Sequence, residues 1–495
     1  MHGPRHEPTH GPMHAAAHGP TPAHAGPATG PGRWRALALL CAAQFMLIVD
    51  VTVVNVALPS IAEDLALGRS GLTWVVAAYA LTFGGLLLLG GRLADLLGRR
   101  RAFLAGLTVF TAASLLSGLA WTGGVLIGAR AAQGVGAALL SPAAMAIITT
   151  TFHGPERHRA LGIWGAIGGS GAALGVLLGG ALTDGPGWAW IFFVNVPVGL
   201  AVLALLPHLV PAPAPRRPGD PRPPALDLPG AVAGTAAVAL LVYGLVHAGE
   251  AGWRSPGALA PLAAVVPVAA AFVLVERRVR QPLLPLRILT DRQIAGGTVL
   301  MLAASSLLLA GFFLSSWYVQ HRLGYTPLGT GLLFLPAAVG TIVGAHGAAR
   351  ALGRFGFRPT AVTGFVVAGA GAALLARLPG GGSAAVEFLP GFTLLAAGLG
   401  AGFVSATTTA TNGVGHGNAG LVSGLVNTGH ELGGALGVAL ASALAGPSLA
   451  GTGGMSGFRT AFAAAAVAAL VTAVLALRLV PPGRPEATDG PVIAH

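Results

Sequence analysis

The chain has 495 residues, 54% of them hydrophobic and only 9% charged, with a formal net charge of +12. Soluble domains carry roughly a quarter charged residues, so this composition excludes a string of ordinary soluble domains. It does not point to nucleic acid either. All 28 basic residues are Arg, the mark of a GC-rich genome, and they sit in short breaks between apolar runs.

The first 34 residues are polar and rich in His, Pro and Gly. His2, His6, His10, His14 and His18 recur every four residues, one face of a helix if a helix formed. The interleaved Gly3, Pro4, Pro8, Gly11 and Pro12 forbid a stable one. A disordered tail is the plain reading, and a weak, flexible metal-binding tail the sharper one. No cleavable signal peptide is expected, because the first apolar run is too long for one. The single cysteine, Cys41, lies in that run, so no intrachain disulfide and no cysteine-based metal site is expected.

Apolar stretches then recur almost to the end. About 20 residues of helix span the roughly 30 Å of a bilayer core, and the segments lack the alternation of barrel strands. The chain thus reads as an all-α polytopic membrane protein. Fourteen spans are expected, at 36–56, 72–92, 102–120, 124–148, 160–182, 188–208, 229–247, 257–275, 294–315, 328–348, 360–378, 386–408, 420–445 and 459–479. Pro- and Arg-rich breaks after 208 and before 294 bracket two of them. The expected organisation is a tail (1–34), a six-helix half (35–208), a linker with two inserted helices (209–293), a second six-helix half (294–480) and a tail (481–495). With the N-terminus inside, inward segments hold 22 arginines and outward ones five. By the positive-inside rule both ends are cytoplasmic.

Gly90 to Arg101 (GGRLADLLGRRR) separates the second and third expected spans. The connection is short, so the two helices must be antiparallel neighbours. Gly91 and Gly98 are expected to allow close backbone approach, and Asp95 to place a carboxylate at the membrane edge, within reach of a helix N-terminus or of Arg99 or Arg101. A positive-inside hairpin alone would explain the arginines but not the acid and glycines.

This stretch resembles the G-x-L-a-D-r-x-G-r-R/K loop signature of the major facilitator superfamily. Four further stretches are similar to that superfamily's fourteen-helix drug:proton antiporter branch, the EmrB/QacA type: Asp50 to Pro59 (DVTVVNVALP), Arg130 to Gly136 (RAAQGVG), Trp190 to Gly199 (WIFFVNVPVG) and Asn418 to Gly437. The matches reach from residue 36 to about 480. The resemblance implies two six-helix halves around a central cavity, with an extra helix pair between them. It also implies that the Gly91, Asp95, Gly98, Arg99 and Arg101 loop steadies one conformational state. Residues Gly347 to Arg354 echo that loop in the second half, with Gly353 matching Gly98, as an internal repeat requires.

The fifth expected span carries small residues every three to four positions, including Gly171, Gly175, Gly179 and Gly180. Such spacing lets helices approach closely. It resembles the antiporter motif G-x-x-x-G-P-x-x-G-G of export-type members, with Val176 in place of the motif proline. Glycines that merely tighten a bundle are the alternative.

Charges inside a membrane are costly, and a functional role is the default hypothesis. Asp50 is suited to taking up and releasing a proton; a fixed structural pair is the alternative. Arg130 resembles the branch's buried arginine, implying a part in proton relay, against a purely structural hydrogen-bonding role. Glu431 follows His430 and reads as a second protonation site, as a contact for cationic substrates, or as a helix-end residue facing polar protein. Gln44, Trp74, Tyr79, Trp164, Asn195, Trp317, Tyr318 and Asn427 are weaker cavity candidates, the aromatics more naturally interfacial anchors. Asp184, Glu387, His247, His321 and His346 fall near helix ends.

The composite expectation is a proton-coupled exporter of small organic molecules, lipophilic or cationic, in the bacterial cytoplasmic membrane, working as a monomer by alternating access. An importer or symporter is the second reading, and a membrane scaffold or sensor the third. There is no phosphate-binding loop, catalytic triad or cofactor site, so no enzyme and no cofactor is expected.

Overall fold

The computed structural model describes residues 31–152, 154–210, 227–280, 282–379, 383–412, 414, 419–449 and 454–484. Fourteen long helices fill them, without a strand among the described residues. They are α1 (Pro31–Asp64), α2 (Arg69–Leu97), α3 (Arg99–Gly118), α4 (Gly123–Thr151), α5 (Gly154–Asp184), α6 (Trp190–Leu209), α7 (Leu228–Ala251), α8 (Pro256–Arg278), α9 (Arg292–His321), α10 (Pro327–Phe355), α11 (Phe357–Leu375), α12 (Leu389–Thr411), α13 (Ala419–Leu449) and α14 (Ser456–Leu479). Twelve are long and apolar enough to cross a membrane. The other two, α5 and α13, are 31 residues each. The all-α membrane architecture expected from composition is present, each expected span falling on one helix.

Helix ends differ from expectation where the sequence looked like loop. Helix α2 continues to Leu97, so Arg92 and Asp95 lie on its last turns, and Gly98 alone joins it to α3. Gly98 has φ +86° and ψ 135°, a backbone conformation that disfavours any side chain. The close approach expected of Gly91 belongs to its neighbour: a Cβ on Gly90 would strike the Ala138 carbonyl of α4, whereas one on Gly91 would meet only Pro142, at 3.9 Å. The same junction recurs between α10 and α11. Its single residue is Gly356, with φ +89°. Gly353, expected to match Gly98, is instead inside α10.

Helix α6 is interrupted once. A four-residue segment, Trp190–Phe193, stops at Val194, and the helix resumes at Asn195. Pro197 has no N–H to offer the Phe193 carbonyl, which accounts for the break. The interruption turns Asn195 into the protein, where it is 1% exposed.

Helices α1 to α6 pack chiefly among themselves through the pairs α2–α4, α3–α4 and α1–α5, and α9 to α14 through α9–α13, α10–α12 and α11–α12. The two groups share one apolar core at the end where Asp64 lies. There Val53 to Ile61 of α1 and Leu72 to Val76 of α2 join Phe313, Tyr318 and Phe334. Polar contacts cross at that end too: Thr73 donates to Ser442 at 2.7 Å, and Gln320 to the Val56 carbonyl at 2.8 Å. His321 lies 3.7 Å from Glu63. Toward the Gly98 end, α1 to α6 keep a core of their own around Phe103, Phe110, Leu140 and Ile148.

Helices α7 and α8 pack on each other, and α7 covers the seam between α2 and α13. Val242 and Val246 meet Ala77, Ala80, Ala435 and Ala439 there. Small residues let the backbones come close where lipid offers no hydrophobic drive for association. Helix α8 leaves Leu259, Val266 and Leu274 exposed, the surface a bilayer would cover.

Candidate functional site

The charged residues singled out in the first and fourth spans meet. Asp50 on α1 and Arg130 on α4 form an ion pair through Oδ2 and Nη1. Asp50 is 0% and Arg130 1% exposed. Two ions taken this far from water cost several kcal/mol each unless every polar atom finds a partner.

Partners come from four helices. Gln133, one turn beyond Arg130 on α4, donates from Nε2 to Asp50 Oδ1 at 3.1 Å, and its Oε1 accepts from Arg130 Nη1 at 2.9 Å. Asn195, freed by the break in α6, donates to Asp50 Oδ1 at 2.9 Å. On α3, Ser114 accepts from Gln133 at 2.8 Å, and Ser117 donates to it at 3.3 Å. Arg130 Nε donates to the Val75 carbonyl of α2 at 3.2 Å. The guanidinium lies 4.4 Å from the Tyr79 ring centroid and 5.8 Å from that of Phe192, a cation–π arrangement that offsets lost hydration. A buried network this complete makes the Asp50 carboxylate the hub of five helices, so any change in its charge is felt by all of them.

Across the seam lies Glu431. It sits in the middle of α13, not at a helix end, and one of the three readings of the sequence is thereby set aside. A Cβ on Gly84 of α2 would come within 2.7 Å of Glu431 Cβ, so α2 leaves space for this side chain. Glu431 is close enough to act electrostatically on both Arg130 and Tyr79. The buried Tyr79 hydroxyl has no hydrogen-bond partner. Neighbouring His430 packs 5.5 Å from the Phe403 ring.

The glycines of α5 face two ways. Cβ atoms on Gly171, Gly175 and Gly179 would collide with α1, at Ile48, Thr52 and Val53. A Cβ on Gly180 would instead stand 2.7 Å from the Pro327 carbonyl and 2.9 Å from Leu328 Cα of α10. Val176, where the resemblance led us to expect proline, is 1% exposed, and its carbonyl would lie 2.8 Å from a Cβ on Gly331 of α10. The α5–α10 contact thus rests on backbone against backbone.

The remaining candidates scatter. Arg99 reaches the Ala146 carbonyl at 3.4 Å, and Arg101 is exposed. The Asp95 side chain and His2, His6, His10, His14 and His18 lie outside the described residues. Tyr79 and Tyr318, placed among interfacial anchors, are both 1% exposed and belong to the core. Trp317 stacks on His321 at 3.9 Å. Gln133, Ser114 and Ser117 were missed. Gln133 stands three residues from Arg130 and the serines three apart, so each pair shares a helix face; polar residues on one face of an apolar helix were the available signal. No group of His, Cys, Asp or Glu suited to a metal occurs among the described residues.

The family model described as Major Facilitator Superfamily matches residues 40–438. The chain belongs to that superfamily. It is 44% identical to "Puromycin resistance protein pur8" of Streptomyces alboniger over 79% of this chain and 77% of that one. It is also 44% identical to "Cephamycin export protein CmcT" of Amycolatopsis lactamdurans, over 62% of this chain and 63% of the relative. Among solved structures, a POT family transporter crystallised with a thioalcohol-conjugated peptide superposes with a TM-score of 0.64 at 13% identity. That match covers 90% of this chain and 96% of the other and speaks to the fold. The protein is a multi-pass membrane protein of the major facilitator superfamily, not an enzyme.

Proposed function

We propose that this protein exports small organic molecules across the bacterial cytoplasmic membrane, driven by protons, with Asp50 as the proton-carrying group. The observation that carries the reading is the arrangement around Arg130: one carboxylate, Asp50, paired with it in the first half, and a second, Glu431, within electrostatic reach on the other. Protonating Asp50 removes its charge from the pair and leaves Glu431 as the remaining acid nearest in effect to Arg130. The shift changes how strongly the halves attract across the α2–α13 seam. Deprotonation restores the pair and frees Glu431 to receive a cationic group of the substrate. Proton and substrate then compete for linked sites, which is the thermodynamic requirement of antiport. The relatives named for antibiotic resistance and export support the outward direction. The arginine asymmetry supports cytoplasmic termini; the transporting unit is taken to be the monomer. The halves 35–208 and 294–480 would rock about the centre, with 209–293 as the inserted pair.

The test is efflux of a fluorescent lipophilic cation from pump-deficient bacteria expressing the chain, with and without a protonophore. Efflux that collapses with the protonophore is the expected result. Efflux that persists unchanged in de-energised cells would exclude proton drive.

Alternating access requires the closed Asp64 end to open and re-form. Gly180→Val should prevent re-closure, because its side chain occupies the space of the Pro327 carbonyl and Leu328. Transport is expected to fall at least about tenfold, the 1.4 kcal/mol or more that an overpacked contact costs, with normal amounts of protein in the membrane. Gly179→Val, directed at Val53 within one half, should reduce folded protein instead. Immunoblots alongside transport separate the two outcomes.

A further inference from the structure

A second pair of buried acids lies far along the chain from the Asp50 network. Asp227, immediately before α7, is 1% exposed, and Glu276, near the end of α8, is 4% exposed. Asp227 Oδ1 accepts from the Gly230 backbone N–H at 2.8 Å, capping α7, and Glu276 Oε2 accepts from the Leu284 N–H at 3.0 Å. The other oxygen of each, Asp227 Oδ2 and Glu276 Oε1, has no donor. Those two face one another: a Cβ on Gly230 would touch both, and the side chains are within hydrogen-bonding range. Two carboxylate oxygens are both acceptors, so they can bond only through a proton.

We propose that Asp227 and Glu276 share one proton, giving the pair a net charge of −1, and that this proton fastens the inserted helices to the connection leading into α9. Like-charged carboxyls held together release their protons in two separated steps, the second resisting. Among the described residues, the surrounding charges do not offer another resolution. Asp227 is the one charged side chain with a resolved effect on Glu276. Arg277, Arg278 and Arg280 on and just after α8 are exposed, as are Arg287 and Asp291 on the connection. Arg92 of α2 spends its Nη2 on the Pro282 carbonyl at 3.1 Å, and Glu431 sits in the middle of α13. The contacts form one chain: the last turns of α2 hold Pro282, the backbone two residues on holds Glu276, and Glu276 holds Asp227 at the start of α7. Loss of the proton puts two anions in contact and pushes α7 and α8 apart at this end. The latch therefore links the inserted pair to the Gly98 junction, which joins α2 to α3.

The direct measurement is the infrared carbonyl stretch of protonated carboxyl groups in the full-length protein in nanodiscs at neutral pH. Glu276→Gln and Asp227→Asn should each remove the intensity of one such group, whereas Asp50→Asn should leave that component in place. Glu276→Gln keeps a donor facing Asp227 and should unfold at or above the wild-type temperature at high pH. Its pH dependence should lack one proton, up to a tenfold change in the folding constant per pH unit. Unchanged protonated-carboxyl intensity in both variants would overturn the proposal. So would a wild type stabilised at high pH by added sodium or calcium, since a cation rather than a proton would then bridge the pair.

Discussion

Asp50→Asn is expected to abolish proton-driven efflux while leaving a folded protein in the membrane. Asparagine keeps the size of the carboxylate and one acceptor oxygen for Gln133 or Asn195 but cannot exchange a proton. Removing a positioned proton-transfer group costs on the order of 100-fold or more in rate. Because a permanently neutral residue 50 leaves Glu431 engaged with Arg130, downhill equilibration of a cationic substrate should be slow as well. A protonophore should no longer change it. Transport assays in energised and de-energised vesicles read this directly. Full protonophore-sensitive efflux by Asp50→Asn would return Asp50 to a fixed structural role.

Arg130→Met should be the most destabilising single change in the protein. It strands the Asp50 carboxylate, at 0% exposure, without its cation. Breaking a buried pair from one side typically costs about 3–5 kcal/mol. Methionine also gives up the Val75 and Gln133 hydrogen bonds and the contact over Tyr79. Replacing both partners behaves differently, since an apolar pair of similar volume leaves no buried charge. Asp50→Leu with Arg130→Met is therefore expected to recover much of the lost thermal stability and to transport nothing. Thermal unfolding of the purified wild type and the two variants separates the two roles of the network, holding the helices together and moving charge. A double variant no more stable than Arg130→Met would show that the remaining hydrogen bonds, not the ion pair, dominate.

Much of this architecture is visible in the chain before any coordinates, because the bilayer imposes a single length scale. Runs of about 20 apolar residues admit few interpretations, and the fourteen expected spans fall on the fourteen helices. What periodicity does not show is where a helix continues past its apolar segment. Arg92 and Asp95 are polar, yet they extend α2 to Leu97, since the intrahelical backbone hydrogen bonds form whatever the polarity of the side chains. At the α2–α3 and α10–α11 junctions the chain breaks at a single residue, Gly98 and Gly356, where a positive φ ends the helix. The break in α6 depends on Pro197, which lies well inside what reads as one apolar run at 188–208.

The site divides the same way. Asp50 and Arg130 announce themselves as charges in apolar surroundings. Their meeting does not, since 79 residues and three helix connections separate them. Gln133, Ser114 and Ser117 are uncharged and common enough in membrane helices to pass unnoticed until an acid is seen to need its donors, and Asn195 stands out only as one weak cavity candidate among several. Glu431 was read as a candidate from its charge alone. Its place opposite Arg130 depends on Gly84 having no side chain, a relation across the two halves that no local pattern encodes. The acids of the inserted pair, Asp227 and Glu276, do not stand out in the sequence, because each lies at the polar edge of its span, where a solvated carboxylate is the ordinary expectation.

The measurement that bears most directly on the central claim is proton movement driven by substrate. Purified protein in liposomes enclosing a pH-sensitive dye should, on imposing a gradient of a transported lipophilic cation without a pH gradient, move protons opposite to the substrate, and Asp50→Asn should not. Substrate movement by the wild-type protein with no accompanying proton flux would contradict the account.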